Sequence, residues 1–471
     1  MLPEWDSYGE VLDRAHQLAI DYLDSVPDAA VGADPDLDEL RAALGGELSE
    51  GGEDGASVLE HLARAAAPGI VASNGPRYFG FVIGGGVPAA VGADWMTSAW
   101  DQVAGLNVCS PAAAVAEEVA AGWLLELLGL PESSVVGFAT GAQMANFTCL
   151  AAARGAQLRR VGWDVEASGL QGAPKLNVVV GDQAHVTVFA ALRFLGLGAE
   201  TAVRVSADEQ GRMISSALAE ALSGLEGPTV VCAQAGEVNT GAFDPFDEIA
   251  DLCERHGAWL HVDGAFGLWA AAAPALREQV RGVERADSWA TDAHKWLNVP
   301  YDSGLAIVRD RDAVRSAMQL SAAYLVAGEE ARDGTEYVPE ASRRARGFVI
   351  WSALRSLGRG GVAAMIERCS ELARLMADEL SSEKGVRVLN EVALNQVLFA
   401  IDGDDGTLTA ETIARVQEDG TCWLAGTRWR DTPAIRVSIS NWSTTEDDVT
   451  RSAEVIRDAI SSARNSVGAS A

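Results

Sequence analysis

Apolar positions in the middle of the chain fall into two alternating rhythms. From about residue 134 to 310, compact runs rich in β-branched residues (Ser134–Phe138, Leu176–Val180, Thr229–Ala233, Trp259–Val262 and Leu305–Val308) predict strands. Between them, apolar residues recur at helical spacing over Met144–Arg154, His185–Phe194, Ile214–Leu222 and Phe246–Arg255. Strands alternating with helices predict an α/β fold with a mostly parallel sheet, whose ligands gather at the carboxyl ends of the strands. Just before this block, Ser110 and Pro111 are a good N-cap and first position for a helix running through Leu128.

The flanks have a different texture. Residues 1–75 predict helices (Arg14–Leu23, Ser57–Ala67) separated by a loop with Pro27, Pro35 and glycines from Gly45 to Gly55. Beyond about 325, helices Ala341–Leu357, Gly361–Leu380 and Glu446–Ser462 mix with strands Val386–Val388, Gln396–Ile401 and Ala434–Ser440. This predicts a smaller C-terminal α+β domain at 326–471, a large domain at 76–325, and an N-terminal helical segment at 1–75. A length of 471 residues accommodates that division, since a domain averages ~150 residues.

Composition narrows the function. The formal charge of −31 opposes binding to phosphate backbones or anionic lipid, so neither nucleic acid nor membrane is an expected partner. No uncharged apolar run is long enough to span a bilayer, and the N-terminus lacks a secretory pattern. The six cysteines show no C-x-x-C spacing, so no metal site is expected, and the expected setting is the reducing cytoplasm.

Only three lysines occur: Lys175, Lys295 and Lys384. Lysine is the side chain able to form an imine with a carbonyl, so such chemistry has three candidates. Lys175 and Lys384 lie in polar loop sequence, whereas Lys295 is framed by Asp292, His294 and Trp296. Asp263 ends an apolar strand and is followed by glycine, which suits either a strand-end functional carboxylate or a turn aspartate. His261 shares its face by period 2 and is by itself an ordinary core histidine. Thr140-Gly141-Ala142-Gln143 follows a strand and opens a helix, where free amides favour an anion such as phosphate. His185 opens another helix. Arg436 points away from the apolar face of its strand, to clamp a carboxylate or to pair with a surface acid. Gly84-Gly85-Gly86 marks either a close backbone approach or a flexible turn.

Taken together, Thr140–Gln143, Ala184-His185, His261-Val262-Asp263-Gly264-Ala265 and Asp292-Ala293-His294-Lys295-Trp296 resemble the group II pyridoxal-phosphate-dependent decarboxylases, of the aspartate aminotransferase fold type. The resemblance runs from about Arg77 to the C-terminus. It implies a seven-stranded large-domain sheet and an L-amino acid decarboxylase that releases carbon dioxide and an amine. It also implies pyridoxal 5'-phosphate held as an imine on Lys295, Asp263 at the pyridine nitrogen, and Ala265 and His185 on the two ring faces. Thr140, Gly141, Ala142 and Gln143 would bind the phosphate, with His294 and Asp292 nearby. Tyr324 would return a proton to Cα. Arg436, Gly84 and Asn107 would face the substrate, and a homodimer would share its active site.

Some positions depart from the family pattern. Ala142 stands where glycine is usual, and Gln143 where a small hydroxyl residue is. Glu237 replaces Thr or Asn beside the cofactor, placing a second carboxylate near Asp263 or pointing away. Related outcomes are an aldehyde-forming decarboxylase-oxidase, a carbon–carbon lyase, or a non-catalytic scaffold of the same fold. A nicotinamide enzyme is disfavoured, since no G-x-G-x-x-G follows a strand.

Overall fold

The structure is a computed structural model and describes residues 7–48, 50–320 and 332–470. Its larger sheet is built from β1 (Val135–Ala139), β2 (Asn177–Gly181), β3 (Val203–Val205), β4 (Thr229–Gln234), β5 (Trp259–Asp263), β6 (Ser288–Asp292) and β7 (Gly304–Val308). These lie in the order β1-β7-β6-β5-β4-β2-β3. β7 is antiparallel to both neighbours, and the other pairings are parallel. The carboxyl ends of the remaining six strands therefore share one edge.

Both faces of this sheet are covered, as a parallel sheet requires. Val178, Val180, Val230 and Cys232 pack toward one apolar cluster with helices Ala142–Arg160 and Val186–Phe194. Their alternates Val179, Val231 and Ala233 pack toward the other, with helices Pro111–Leu128, Phe246–His256 and Gly347–Ser381. Strands buried on both faces carry no polar alternation, which is why they appear in the sequence as unbroken apolar runs.

The C-terminal sheet is antiparallel, in the order β10-β11-β9-β8, from β8 (Val386–Val388), β9 (Gln396–Ile401), β10 (Ala425–Trp429) and β11 (Thr432–Ser438). Helices Thr407–Asp419 and Glu446–Ser470 accompany it. The N-terminal segment holds helices Tyr8–Ser25, Leu37–Leu44 and Gly55–Ala66.

Several elements had no sequence signal. β6 buries Ser288, Thr291 and Asp292, so its apolar run is interrupted although all five residues are buried. β3 has three residues, and β10 has a glycine in a half-exposed ribbon. Helix Leu37–Leu44 is eight residues long and is recognisable mainly by its Asp36 cap, which accepts from Asp38 and Glu39. Helix Pro88–Trp100 also lay outside the predicted elements. The paired C-terminal helices meet at Gly358, whose φ of 63° interrupts the helical backbone. The first of them starts at Gly347 rather than 341 because Arg343, Arg344 and Arg346 are held by carboxylates of other elements. Arg343 makes a two-pronged pair with Glu117 at 2.5 and 2.9 Å, both residues fully enclosed. Arg344 bonds to Asp94, and Arg346 to Asp302. No helix among the described residues is long and apolar enough to cross a membrane.

Candidate active site

The strand edge shared by six carboxyl ends collects the residues singled out in the sequence. Thr140 follows β1, His185 follows β2, Asp263 ends β5, and Asp292 ends β6, followed at once by His294 and Lys295. Lys175 and Lys384 are exposed elsewhere. A pocket at this edge is lined by His185, Gln234, Gly236, Val238, Asp263, Ala265, Phe266 and Lys295. Lysine, carboxylate, imidazole and alanine thus face one space, as a planar cofactor with a carbonyl, a ring nitrogen and two faces requires.

Lys295 is partly buried, and its Nζ lies 3.0 Å from Asp292 Oδ2. The other oxygen of Asp292 accepts from Ala142 N at 2.6 Å and lies 3.4 Å from His294 Nε2. His294 Nδ1 accepts from Ser303 N at 3.0 Å, which leaves Nε2 as the protonated nitrogen facing Asp292. Asp292 therefore joins the lysine to the start of helix Ala142–Arg160. That helix is capped by Gly141, whose lack of a side chain leaves the first-turn amides without a cap from their own N-cap residue. A Cβ on Gly141 would stand 3.2 Å from His294 Cε1 and 3.4 Å from Asp292 Oδ1, so the turn packs directly against both side chains. Ser303 Oγ, buried beside this turn, has no hydrogen-bond partner. First-turn amides without an N-cap side chain and an orphaned hydroxyl fit a phosphate group, with the Asp292 charge offset by Lys295.

Asp263 is buried, which raises its pKa above the ordinary carboxylate value; His185, Lys295, Asn146 and Ala265 pull the other way. Asn146 Nδ2 and Ala265 N each donate to it at 3.2 Å. His185 caps helix Val186–Phe194 through Thr187, and its own amide donates to Gln234 Oε1 at 3.1 Å. Burial lowers its pKa, and Lys295 and Arg436 act in the same direction, so the ring favours the neutral form suited to stacking. Arg436 lies on β11 and donates to Val238 O at 3.1 Å, bringing the C-terminal sheet to the cavity wall.

Three expected positions behave differently. Glu237 does not present a second carboxylate beside Asp263. Its oxygens accept from the amides of Asn239 and Thr240 and from the Asn239 side chain, between 2.7 and 2.9 Å. The loop's own donors turn it inward, while its neighbours Gly236 and Val238 line the cavity. Gly84 is buried against the lysine loop. A Cβ there would stand 1.8 Å from the Lys295 carbonyl oxygen, so the glycine turn is a close backbone approach to the lysine loop. Asn107 is tied by its amide to Asp333 at 2.7 Å and has no contact with the Lys295 cluster among the described residues. Tyr324 lies outside the described residues.

Sequence reasoning missed Asn146, Gln234 and Ser303. Asn146 lies one helical turn beyond Ala142, a spacing that puts it on the same helix face. Gln234 ends β4, so the strand-end rule that found Asp263 also applies to it.

His261 is fully enclosed, which lowers its pKa to about 3. In the unfolded chain it titrates near ~6.5. Below that value the unfolded chain takes up a proton that the folded chain refuses until about pH 3, so acidification through this window destabilises the fold. The urea midpoint of the cofactor-free protein is expected to fall as pH drops from ~6.5 toward ~4.5. In His261→Gln it should fall less steeply, while other acid-titrating groups act equally in both proteins.

The comparisons with known proteins agree with this geometry. Residues 38–402 match the family model described as the pyridoxal-dependent decarboxylase conserved domain. An aromatic-L-amino-acid decarboxylase of Bacillus atrophaeus is 29% identical over 452 residues, 92% of each chain. An acidic amino acid decarboxylase of Homo sapiens is 30% identical over 372 residues, 77% of this chain and 70% of that one. The crystal structure of Oryza sativa TDC with PLP and tryptamine superposes with a TM-score of 0.91 at 26% identity, covering 98% of this chain and 99% of that one. The chain belongs to the pyridoxal-dependent decarboxylase family and is a pyridoxal-phosphate-dependent amino acid decarboxylase.

Proposed function

We propose that the chain decarboxylates L-amino acids with an aromatic side chain. The observation that carries this is the charge around the cavity. The cations that act on His185 are Lys295 and Arg436. Lys295 is committed to the cofactor, so among the described residues Arg436 remains for one substrate carboxylate. Beside the lysine loop, Tyr78 and Phe81 stack on Trp423 with ring centroids 5.0 and 6.0 Å apart, and Tyr301 stacks on His294 at 4.2 Å. This shelf suits a flat apolar side chain. The Bacillus relative is named for aromatic substrates. The human relative named for acidic ones supports the second reading.

In this assignment Lys295 anchors the cofactor, Asp263 faces its ring nitrogen, and His185 and Ala265 flank the ring. Bound pyridoxal phosphate supplies a conjugated ring able to accept the electron pair of the breaking Cα–carboxylate bond. Asp263 favours that charge shift by holding the ring nitrogen protonated. Thr140 to Gln143, with His294, hold the phosphate end, where helix amides favour an anion. Arg436 orients the substrate carboxylate. Asp292 would hold the Lys295 amine in place, as its oxygen does at 3.0 Å. Tyr324 remains the proposed donor of the proton returned to Cα.

A panel of the common amino acids, scored by carbon dioxide release, tests the substrate class. Aromatic substrates are expected to lead, and a preference for aspartate, glutamate or cysteine sulfinate would overturn the reading. Arg436→Gln should raise KM for the best substrate about tenfold, the usual worth of a charge-assisted pair; an unchanged KM would remove Arg436 from the site.

We also infer a homodimer. Helices Tyr8–Ser25 and Leu37–Leu44 bury none of their residues within the chain and leave Tyr8, Leu12, Leu37 and Leu44 exposed. Light scattering should give twice the chain mass of 49.4 kDa. Asn107, between exposed Val103 and Val108, is proposed to face the other subunit's site. The six cysteines are free, which suits a cytoplasmic setting.

A further inference from the structure

Trp259, His261 and Asp263 alternate along β5 and therefore point to one face of the sheet. Each is connected to the next by a side chain from a neighbouring element. Trp259 Nε1 lies 2.9 Å from Ser288 Oγ on β6. The same hydroxyl is 3.0 Å from His261 Nδ1. His261 Nε2 is 2.8 Å from Asn146 Oδ1, on helix Ala142–Arg160. Asn146 Nδ2 is 3.2 Å from Asp263 Oδ2. Ser288, His261 and Asn146 are wholly enclosed, so no water competes with these bonds.

The proton positions follow from the two ends. An indole N–H can only donate. Ser288 Oγ therefore accepts from Trp259. At the other end an ionised carboxylate only accepts, so the Asn146 NH₂ faces Asp263 and Asn146 Oδ1 accepts from His261 Nε2. The neutral, enclosed ring is left with Nδ1 as an acceptor, to which Ser288 gives its proton. Each bond has the same polarity, and aligned bonds in a dry interior reinforce one another.

We propose that Asn146 and His261, backed by Ser288 and Trp259, are positioning residues that hold the Asp263 carboxylate ionised and aimed at the cofactor's ring nitrogen. A protonated Asp263 Oδ2 would set an O–H against the Asn146 NH₂, and Asn146 Oδ1 is already occupied by His261. The chain of donors thus discriminates against the neutral acid. It also fixes the plane of the carboxylate, since Ala265 N holds the other oxygen at 3.2 Å. The inference rests on the assignment of Asp263 to the ring nitrogen.

The test compares cofactor affinities of the cofactor-free protein for pyridoxal phosphate and for its 1-deaza analogue, in which carbon replaces the ring nitrogen. The ratio of the two dissociation constants reports the Asp263–nitrogen pair and cancels general damage to the site. The wild-type protein should prefer pyridoxal phosphate. Equal affinity in the wild type would sink the Asp263 assignment itself. In Asn146→Leu the preference should shrink about tenfold, the scale of one hydrogen bond to a charged group. His261→Leu should act in the same direction. His261→Gln, which keeps a donor close to the Nε2 position, should recover most of the preference. If the variants weaken both cofactors equally and leave the ratio at the wild-type value, these residues are structural and the proposal fails. Should Asn146→Leu not fold, Ser288→Ala makes a smaller cut and is read by the same ratio: a reduced preference supports the relay and an unchanged one removes it.

Discussion

Replacing Lys295 with alanine should reduce turnover by about 10³-fold or more while leaving the fold intact. Two proposed contributions would disappear together: the covalent anchor of the cofactor and a positioned amine that can exchange protons. Positioned proton transfer by itself is typically worth ~10²–10⁴-fold. Lys175 and Lys384 cannot substitute, because both are exposed away from the cavity. The side chain of Lys295 is only partly buried and its ionic partner among the described residues is Asp292, so its removal opens little space in the core. Asp292 would keep its bond from Ala142 N and its neighbour His294. Borohydride reduction followed by mass spectrometry should find the cofactor on residue 295 in the wild type and nowhere in the variant. Normal turnover in Lys295→Ala would overturn the assigned chemistry outright.

Asp263→Asn should be the next most damaging change, lowering turnover about 10²–10³-fold, the usual cost of removing one preorganised electrostatic group. The substitution preserves shape but removes the charge. Asparagine also brings an NH₂ where Asn146 and Ala265 now donate, so one donor would face another in a buried space. Cofactor affinity should fall as well, while borohydride should still trap the cofactor on Lys295, because the amine and the aldehyde are untouched. An Asp263→Asn protein with wild-type turnover would mean that the carboxylate lies near the ring without governing it.

How much of this was readable beforehand depends on how local each feature is. Hydrophobic rhythm located five of the seven strands in the larger sheet, because a strand buried on both faces must be apolar along its length. β6 escaped because its buried Ser288, Thr291 and Asp292 are polar residues serving the site and its hydrogen-bond chain. The framed lysine and the strand-end aspartate were legible as short motifs, since the chain positions either side of them are also their spatial neighbours. The direction of Glu237 stayed open in the sequence for a comparable reason. Its position next to the cavity was right, but the direction of its side chain was decided by the amides of Asn239 and Thr240, which no motif announces. Arg343 and Arg346 likewise had no role until Glu117 and Asp302 stood opposite them.

By itself, then, the amino-acid order determined the alternation of strands and helices, the lone framed amine, and the period-2 face shared by Trp259, His261 and Asp263. Those properties depend on residues a few positions apart, where backbone geometry dictates which side chains align. Tertiary structure alone decided that Ser288 and Asn146 would complete the chain between them, that Gly84 would rest on the Lys295 carbonyl, and that Arg436 would reach the cavity from a separate sheet. Each of these joins residues more than 25 positions apart, and such contacts are set by strand order and by competition among buried donors and acceptors.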